Sequence, residues 1–271
     1  MDELKKHLST HRAGQVLDVG TGSGRFIPTL LELFSGIEQI TGMDTDMDSL
    51  RQAEATYAGH GRIQFKPMDA SNMGFADGTF DTVCISNALH HLPPGAQVLE
   101  EMKRVVKRNG LFLMNELVSD EPNEAQLTHI LYHHFSADID QRLGIYHHHT
   151  YTRQEVRDIV TASGISIHWT CEYDEPKPDV MAERDIHLVT NACKQHMERA
   201  KAFEDYAAFA EQGNSIIERL KTVGIQRPTQ LMIVGGLEDQ TNADWRMEYE
   251  EVNDSFIIIS TSGGLSEQRK H

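Results

Sequence analysis

Three glycines alternate with small polar residues directly after an apolar segment near the N-terminus. The segment reads VLDVGTGSG, and Asp18 stands two positions before the first of the glycines Gly20, Gly22 and Gly24. An apolar strand, a tight glycine turn and an apolar helix in this order bring a strand end and a helix N-terminus together. Open α/β sheets bind nucleotide-like ligands at such a point.

The residues around the glycines discriminate between two kinds of ligand. A dinucleotide loop places a third glycine in the helix, in the pattern G-x-G-x-x-G, but Arg25 occupies that position here. The Asp18 carboxylate would also repel a pyrophosphate. Both features favour a ligand that has no phosphate and carries a cationic group. S-adenosylmethionine fits, since it has an ammonium, a sulfonium and an adenosine.

A second chemical feature is a histidine-rich segment over residues 119–150. On a helix, His129 and His133 share one face at spacing i, i+4, which suits a divalent metal or a shared anion. Three interpretations are open: a packed or hydrogen-bonded cap, a general base or substrate-orienting role, or a metal site. The candidate metal set is His129 and His133 with His148, and His147, His149 or the nearby aspartates are further possible ligands.

Candidate catalytic residues are His91, His134 and Glu116, which we expect near the rim of the sheet. Methyl transfer from a sulfonium needs alignment, exclusion of water and, for some acceptors, a base. One residue of the His90-His91 pair is expected to close the pocket while the other faces solvent. His134 lies on an apolar helical stripe and should face inward. Glu116 is either a buried, hydrogen-bonded carboxylate or a contact to substrate or metal.

The elements that must position these residues alternate between strand and helix over the first 118 residues, as in a mostly parallel sheet. We predict strands at residues 15–19, 39–43, 63–67, 82–86, 111–116 and 165–173, and helical regions at 182–212 and 214–222. Two apolar runs, 231–234 and 256–260, compete to be the last strand, and we prefer 256–260. This alternation of strand and helix signals ends near residue 122, within the histidine-rich segment.

Composition limits the partners. With 25 basic and 41 acidic residues the formal charge is −16, and the sequence has no Lys/Arg cluster large enough to offset it locally, so we expect neither nucleic acid nor a membrane as a partner. The sequence contains no apolar run near the ~20 residues of a membrane helix. Three cysteines without paired spacing are typical of a reducing compartment, so we expect a cytoplasmic protein.

Four stretches, at 16–24, 42–44, 68–70 and 80–110, together resemble the class I S-adenosylmethionine-dependent methyltransferases. The likeness is to their small-molecule group, which includes the ubiquinone/menaquinone-biosynthesis enzymes. It implies that Asp18, Gly20, Gly22 and Asp44 bind the amino-acid and ribose parts of the donor, with Asp44 at the ribose hydroxyls, and that Asn87 binds its methionine end. It further implies that Asp69 and Ala70 border the adenine and that Thr45 is also a cofactor-binding residue.

The resulting expectation is a single α/β domain over residues 1–271 with a doubly wound, mostly parallel, seven-stranded Rossmann-like sheet. Residues 119–150 would form a histidine-rich cap, and 176–228 a helical C-terminal insertion or lid, with a homodimer possible. The expected activity is methyl transfer from S-adenosylmethionine to a small molecule at O, N, C or S. The alternatives are a metal-assisted methyltransferase that uses the cap, and a non-catalytic S-adenosylmethionine-binding module.

Overall fold

The computed structural model describes residues 2–8, 11–93, 97–237, 248–252 and 255–259. The helices are α1 (Asp2–Leu8), α2 (Ile27–Leu33), α3 (Met47–Thr56), α4 (Val98–Val105), α5 (Glu124–Arg142), α6 (Arg153–Ala162), α7 (Glu183–Ala200) and α8 (Tyr206–Thr222). The strands are β1 (Arg12–Val19), β2 (Ser35–Asp44), β3 (Ile63–Pro67), β4 (Phe80–Ser86), β5 (Val106–Leu117), β6 (Ile165–Tyr173), β7 (Gln230–Leu237), β8 (Glu248–Val252) and β9 (Ser255–Ile259). A 3-10 turn, Leu89–His91, follows β4.

Seven strands form one sheet in the order β3-β2-β1-β4-β5-β7-β6. The first five in that order pair in parallel, and β7 runs antiparallel to both β5 and β6. The central strands β1, β4 and β5 are buried along most of their length because helices cover both faces of the sheet. The predicted doubly wound, mostly parallel, seven-stranded sheet is confirmed.

The preferred position of the last strand is wrong. The run 231–234 lies within β7 in the main sheet, whereas β9 pairs with β8 in a separate two-stranded sheet. Residue 260 of the preferred run lies outside the described residues. β7 lies between two neighbours and is buried along nearly its whole length. A Cβ at Gly235 would lie 2.5 Å from the Ser166 carbonyl oxygen, so the missing side chain permits this close approach.

Apolar side chains form a cluster on each side of the main sheet, as a doubly wound fold requires. One cluster packs α4 and α6 against the sheet through Met102 and Val156. The other packs α1 and α2 against the opposite face through Leu4 and Leu30. Between these two clusters, β1, β2 and β4 run in parallel, so their carboxyl ends lie at the same edge of the sheet.

A third cluster joins α5, α7 and α8, and it includes Phe135, Cys193, Phe209 and Leu220. The predicted long helix over 182–212 is instead two helices, with the break at residues 201–205. The chain enters α5 after the end of β5 and then returns to that strand end, where the Ser119 N–H donates to the Tyr151 carbonyl at 2.9 Å. Within the described ranges, no helix has the length and apolar character needed to cross a membrane.

Candidate active site

The glycine loop connects β1 to α2 at the carboxyl edge of the sheet. Gly20, Gly22 and Gly24 have φ of +66°, +52° and +79°, in the left-handed region that favours glycine. A Cβ at Gly20 would lie 3.0 Å from the Ala88 Cβ, so that side of the loop is closed. A Cβ at Gly22 would have no neighbouring protein atom within 4 Å. The loop therefore offers bare backbone to open space at Gly22.

A cavity of about 310 Å³ lies beside this loop. It is lined by Asp18, Gly20, Thr21, Gly22, Ser23, Arg25, Phe26, Thr29, Ser86, Asn87, His90, Asn115, Leu117, Tyr173, Glu175 and Arg227. The ends of β1, β4 and β5 thus contribute to one pocket, as open α/β sheets usually provide at their carboxyl edge. Four of the predicted cofactor residues, Asp18, Gly20, Gly22 and Asn87, line this cavity.

Asp18 is a buried carboxyl at the bottom of the loop. The Thr21 hydroxyl donates to its Oδ2 at 2.6 Å, and the Cys84 thiol donates to its Oδ1 at 3.5 Å. Burial raises its pKa to about 6, against a weaker opposing effect of these two hydrogen bonds. A cation placed near this carboxyl would favour its charged form, so the site suits a positively charged ligand.

Asn87 supplies an unpaired acceptor to the same cavity. Its φ is +49°, and its Nδ2 donates to the Ser86 hydroxyl at 3.3 Å, but its buried Oδ1 has no hydrogen-bond partner. A buried acceptor left unpaired costs about 1–3 kcal/mol. Asn87 therefore presents the cavity with an acceptor that a ligand N–H can satisfy.

The predicted ribose and adenine residues lie at the ends of β2 and just beyond β3, outside the lining of this cavity. Asp44 accepts from the Gly22 N–H at 2.8 Å and from the Asp46 N–H at 2.9 Å, so its carboxylate joins the glycine loop to α3. Asp69 is exposed and accepts from the backbone and hydroxyl of Ser71, both at 2.8 Å. The adjacent residues are the exposed Thr45 and the half-buried Ala70.

One wall of the cavity is formed by residues that the sequence did not single out. The Tyr173 hydroxyl donates to Asn115 Oδ1 at 3.1 Å, and the Asn115 Nδ2 donates to Gln230 Oε1 at 2.9 Å. Arg227 pairs with Glu175 at 3.0 Å. These groups come from β5, β6, β7 and their connections. The position of Asn115 at the end of a predicted rim strand was the only sequence signal available for this wall.

Glu116 is buried and holds the turn after β4. Its Oε2 accepts from the Leu89 N–H at 2.9 Å, and its Oε1 lies 3.0 Å from His90 Nδ1 and accepts from the Leu117 N–H at 3.1 Å. Glu116 therefore fixes the ring of His90, which is 4% exposed and lines the cavity. Of the two interpretations of Glu116, the structure shows the hydrogen-bonded carboxylate.

Two predicted catalytic histidines lie elsewhere. His91 is exposed and packs its ring against His90 and His147, with centroids 4.4 Å and 4.3 Å away. His134 Nε2 lies 2.8 Å from the Thr150 hydroxyl and accepts from the Thr150 N–H at 3.3 Å, so His134 holds the loop that follows α5. Neither lines the cavity; of the His90-His91 pair it is His90, fixed by Glu116, that does.

A histidine triad joins the cavity to the cap. Ring nitrogens of His90, His133 and His147 lie within 4.8 Å of one another. His133 Nε2 and His147 Nε2 are 3.2 Å apart, and His147 Nδ1 is 2.8 Å from Asp140 Oδ2. Burial, together with the neighbouring His90 and His147, lowers the pKa of His133 to about 2. Burial also lowers the pKa of His147.

The predicted metal set of His129, His133 and His148 does not converge in the described part of the chain; His133 belongs to the triad, together with His147, one of the further possible ligands. His148 directs its Nδ1 to the His149 carbonyl at 2.7 Å and stacks on Tyr151. His129 lies one turn before His133 on α5, and its buried Nδ1 has no hydrogen-bond partner. The i, i+4 spacing correctly placed His129 and His133 on one helix, but the other two members of the triad, His90 and His147, lie on other segments.

Comparison with known proteins agrees with this geometry. Residues 17–114 match the family model described as a methyltransferase domain. Over 98 residues the chain is 38% identical to the ubiquinone/menaquinone biosynthesis C-methyltransferase UbiE of Desulfotalea psychrophila, covering 36% of this chain and 39% of that protein. It is 30% identical over 127 residues to the demethylmenaquinone methyltransferase of Lysinibacillus sphaericus, covering 46% of this chain and 54% of that protein.

The match to these curated relatives thus spans about two fifths to about half of their length. A crystal structure from Bacillus halodurans C-125, described as that of a methyltransferase, shares the fold. Its TM-score is 0.55 at 19% identity, covering 87% of this chain and 98% of that one. Residues 17–114 therefore form a class I S-adenosylmethionine-dependent methyltransferase domain, and this domain resembles those of the quinone-biosynthesis group.

Proposed function

We propose that the protein transfers a methyl group from S-adenosylmethionine to a small-molecule acceptor. The observation that carries the proposal is the cavity beside the glycine loop, where a buried carboxyl and an unpaired buried acceptor meet bare backbone. Asp18, Asn87 and Gly22 provide these three features. Together they suit a ligand that is cationic, donates hydrogen bonds and packs closely against the chain.

On this proposal the loop side of the cavity holds the amino-acid end of the donor. Asn87 Oδ1 accepts from its ammonium, and Asp18 balances the positive charge from below the loop. Gly20 and Gly22 allow close approach of the backbone. The exposed Arg25 at the cavity wall is a cation available to a carboxylate. When bound, the donor supplies an electrophilic methyl group on a sulfonium.

The ribose and adenine are assigned to the neighbouring strand ends. Asp44 already fixes the Gly22 N–H, so the same carboxylate that shapes the loop would accept from the ribose hydroxyls, next to Thr45. Asp69 and Ala70 would border the adenine. The protein's part in the reaction is then mainly to align the two substrates and to exclude water, since the donor carries its own activation.

The acceptor is proposed to lie at the His90 side of the cavity, beneath α5. Glu116 acts there as a positioning residue, because it holds the His90 ring through Nδ1 and leaves Nε2 directed away from it. The names of the two curated relatives refer to ubiquinone and menaquinone biosynthesis and to demethylmenaquinone. We propose an acceptor of that general kind, a small molecule with an acidic hydroxyl, thiol or ring carbon.

Binding of S-adenosylmethionine, measured by titration calorimetry, tests the donor site. Asn87→Gly keeps the positive φ and removes the unpaired acceptor, so affinity should fall about 10- to 100-fold, as expected for a lost hydrogen bond to a charged group. Asp44→Asn should also weaken binding. Asp158→Asn, on the exposed face of α6, is the control and should bind like the wild-type protein.

Unchanged affinity in Asn87→Gly would contradict the assignment of the donor site. Turnover is measured separately, as release of S-adenosylhomocysteine in the presence of hydroxyl, amine, thiol and quinol acceptors. Binding without turnover across that panel would favour the non-catalytic module instead. The fold alone does not decide the matter, since the cyclase SpnF shares it with a TM-score of 0.53 at 16% identity.

A further inference from the structure

We propose that His90, His133 and His147 bind one divalent transition-metal ion, and that this ion holds the nucleophilic group of the acceptor at the wall of the donor cavity. The inference rests on the proposed methyl transfer and adds to it the group that binds the acceptor. Ring nitrogens of the three residues lie within 4.8 Å of one another, and His90 also lines the cavity.

The spacing within the triad is near that of a metal site. Zn–N bonds of about 2.0–2.1 Å at a tetrahedral angle place two ligand nitrogens about 3.3 Å apart. His133 Nε2 and His147 Nε2 are 3.2 Å apart. These two nitrogens, which lie within hydrogen-bond distance of each other, already have the separation that a shared ion requires, and the third nitrogen, within 4.8 Å, would have to move closer.

Two of the three rings are oriented by carboxylates on their outer nitrogens. Glu116 Oε1 lies 3.0 Å from His90 Nδ1, and Asp140 Oδ2 lies 2.8 Å from His147 Nδ1. Metal-binding histidines almost always donate the second N–H to such a partner, which fixes the ring and raises the basicity of the ligating nitrogen. Both carboxylates are themselves held, Glu116 by two backbone N–H groups and Asp140 by Arg199.

The triad is assembled from three separate segments that are tied together. His90 is in the 3-10 turn, His133 on α5, and His147 in the loop between α5 and α6. The His148 N–H donates to the His90 carbonyl at 2.7 Å, and Gln141 Nε2 donates to the His147 carbonyl at 2.6 Å. This loop is therefore fastened to both of the other segments, which holds the three rings in place before any ion binds.

The three imidazole ligands determine which class of metal ion the site would bind. Three imidazoles suit Zn²⁺, Co²⁺, Ni²⁺ or Cu²⁺, whereas Mg²⁺ and Ca²⁺ prefer oxygen ligands. Three protein ligands also leave a position open, as in catalytic zinc sites. Because His90 borders the donor cavity, a small molecule bound at that open position would lie next to the methyl donor.

The proposed methyl transfer to a metal-bound hydroxyl or thiol needs neither an oxidant nor a reductant. A hydroxyl or thiol bound to a divalent cation loses its proton to solvent more readily, since the cation lowers the pKa of its ligand. The lone pair of that oxygen or sulfur forms the bond to the methyl carbon. The electrons of the broken carbon–sulfur bond return to the donor sulfur, so the sulfonium becomes a neutral thioether.

The test uses the full chain purified without a histidine tag and treated with a chelator. Zn²⁺ and Co²⁺ are titrated by calorimetry, and the visible spectrum of bound Co²⁺ reports its coordination. We expect one ion per chain. His133→Ala and His147→Ala should each weaken binding at least about 100-fold, and Asp140→Asn should weaken it about 10- to 100-fold.

Two matched controls come from the same cluster. His129→Ala removes the neighbouring histidine on α5 and His148→Ala the neighbour on the loop; both should bind the ion within about threefold of wild type. Thermal unfolding of each variant shows whether it is folded, and the stoichiometry of the wild-type protein does not depend on the variants. A wild-type protein that binds no ion would overturn the proposal, as would equal losses in the controls and in the triad variants.

S-adenosylmethionine affinity is measured on the same metal-free samples. A protein that binds the donor but no ion refutes the metal site and leaves the proposed methyl transfer standing. A protein that binds the ion but not the donor refutes the proposed methyl transfer, while the triad as a metal site survives. The two failures are therefore distinguishable.

Discussion

The variant Asp18→Asn should be more stable than the wild-type protein, by an amount that increases with pH. Asp18 is 1% exposed, and burial raises its pKa from 3.8 to about 6. The folded state therefore holds the proton of this carboxyl more tightly than the unfolded chain does. Asparagine keeps the size of the side chain and an oxygen that can accept from Thr21, but it carries no titrating charge.

The sign follows from proton binding in the two states. Between pH 3.8 and about 6 the folded protein binds more protons at this site than the unfolded chain, so the contribution of Asp18 to stability falls as pH rises. It is most favourable below pH 3.8 and is lost as pH passes about 6. A pKa higher by about 2 corresponds to a cost of about 3 kcal/mol at pH 8, and to less than about 1 kcal/mol at pH 4.

Urea unfolding of both proteins from pH 4 to pH 8 measures this difference. The advantage of Asp18→Asn should grow by about 2–3 kcal/mol across the range, because other titrating groups cancel when the two proteins are compared at each pH. Asp158→Asn, the same substitution on the exposed face of α6, is the matched control. An advantage for Asp18→Asn that stays flat or shrinks with rising pH would refute the reasoning.

Two further substitutions test how the site is supported. In Gly42→Ala the new Cβ would lie 2.8 Å from the Phe65 ring and from Thr21 Oγ1, so we expect a loss of about 1–3 kcal/mol in urea unfolding; an unchanged midpoint would contradict this close packing. In Phe135→Ala a fully buried ring is removed from the cluster that joins α5, α7 and α8, and we expect a loss of about 3–5 kcal/mol, with Leu131→Ala at an exposed position of α5 as the control.

The glycine loop and its place beside the cavity could be predicted from the sequence because their signals are local. The strand, the glycines and the helix that follow one another over residues 16–33 are close in both sequence and space, so their types and spacing nearly determine the turn. Asn87 follows a strand that was also predicted. The sequence could not show that its Oδ1 would be buried without a partner, since that depends on the segments packed around it.

The last strand was mistaken because two short apolar runs are equivalent by composition. Both 231–234 and 256–260 read as buried strands, and a short apolar run carries no information about which neighbours it pairs with. What distinguishes β7 is a fit between β5 and β6 that depends on Gly235, which lacks the Cβ that would meet Ser166. That contact joins residues 69 positions apart and has no local signature.

The histidine triad shows why ligand sets are harder to predict than ligand-rich segments. The segment was identified by its composition, and His133 by its helical spacing with His129. Whether His147, His148 or His149 turns toward His133 depends on where the loop lies. His147 is held toward His133 by its hydrogen bond to Asp140, whereas His149 lies 2.7 Å from Asp138 and is not part of the triad.

On the proposed assignment the site has a donor side built by the sheet and an acceptor side built by α5 and the loop that follows it, and β5 contributes to both. Asn115 and Glu116 are consecutive residues at the end of this strand. Asn115 braces the donor cavity through Tyr173 and Gln230, and Glu116 fixes His90. Successive side chains of a strand point to opposite faces, so one strand end can organise two different environments. The segment that carries His133 and His147 follows the end of β5 in the chain. Its histidines therefore lie against the cavity that the sheet forms.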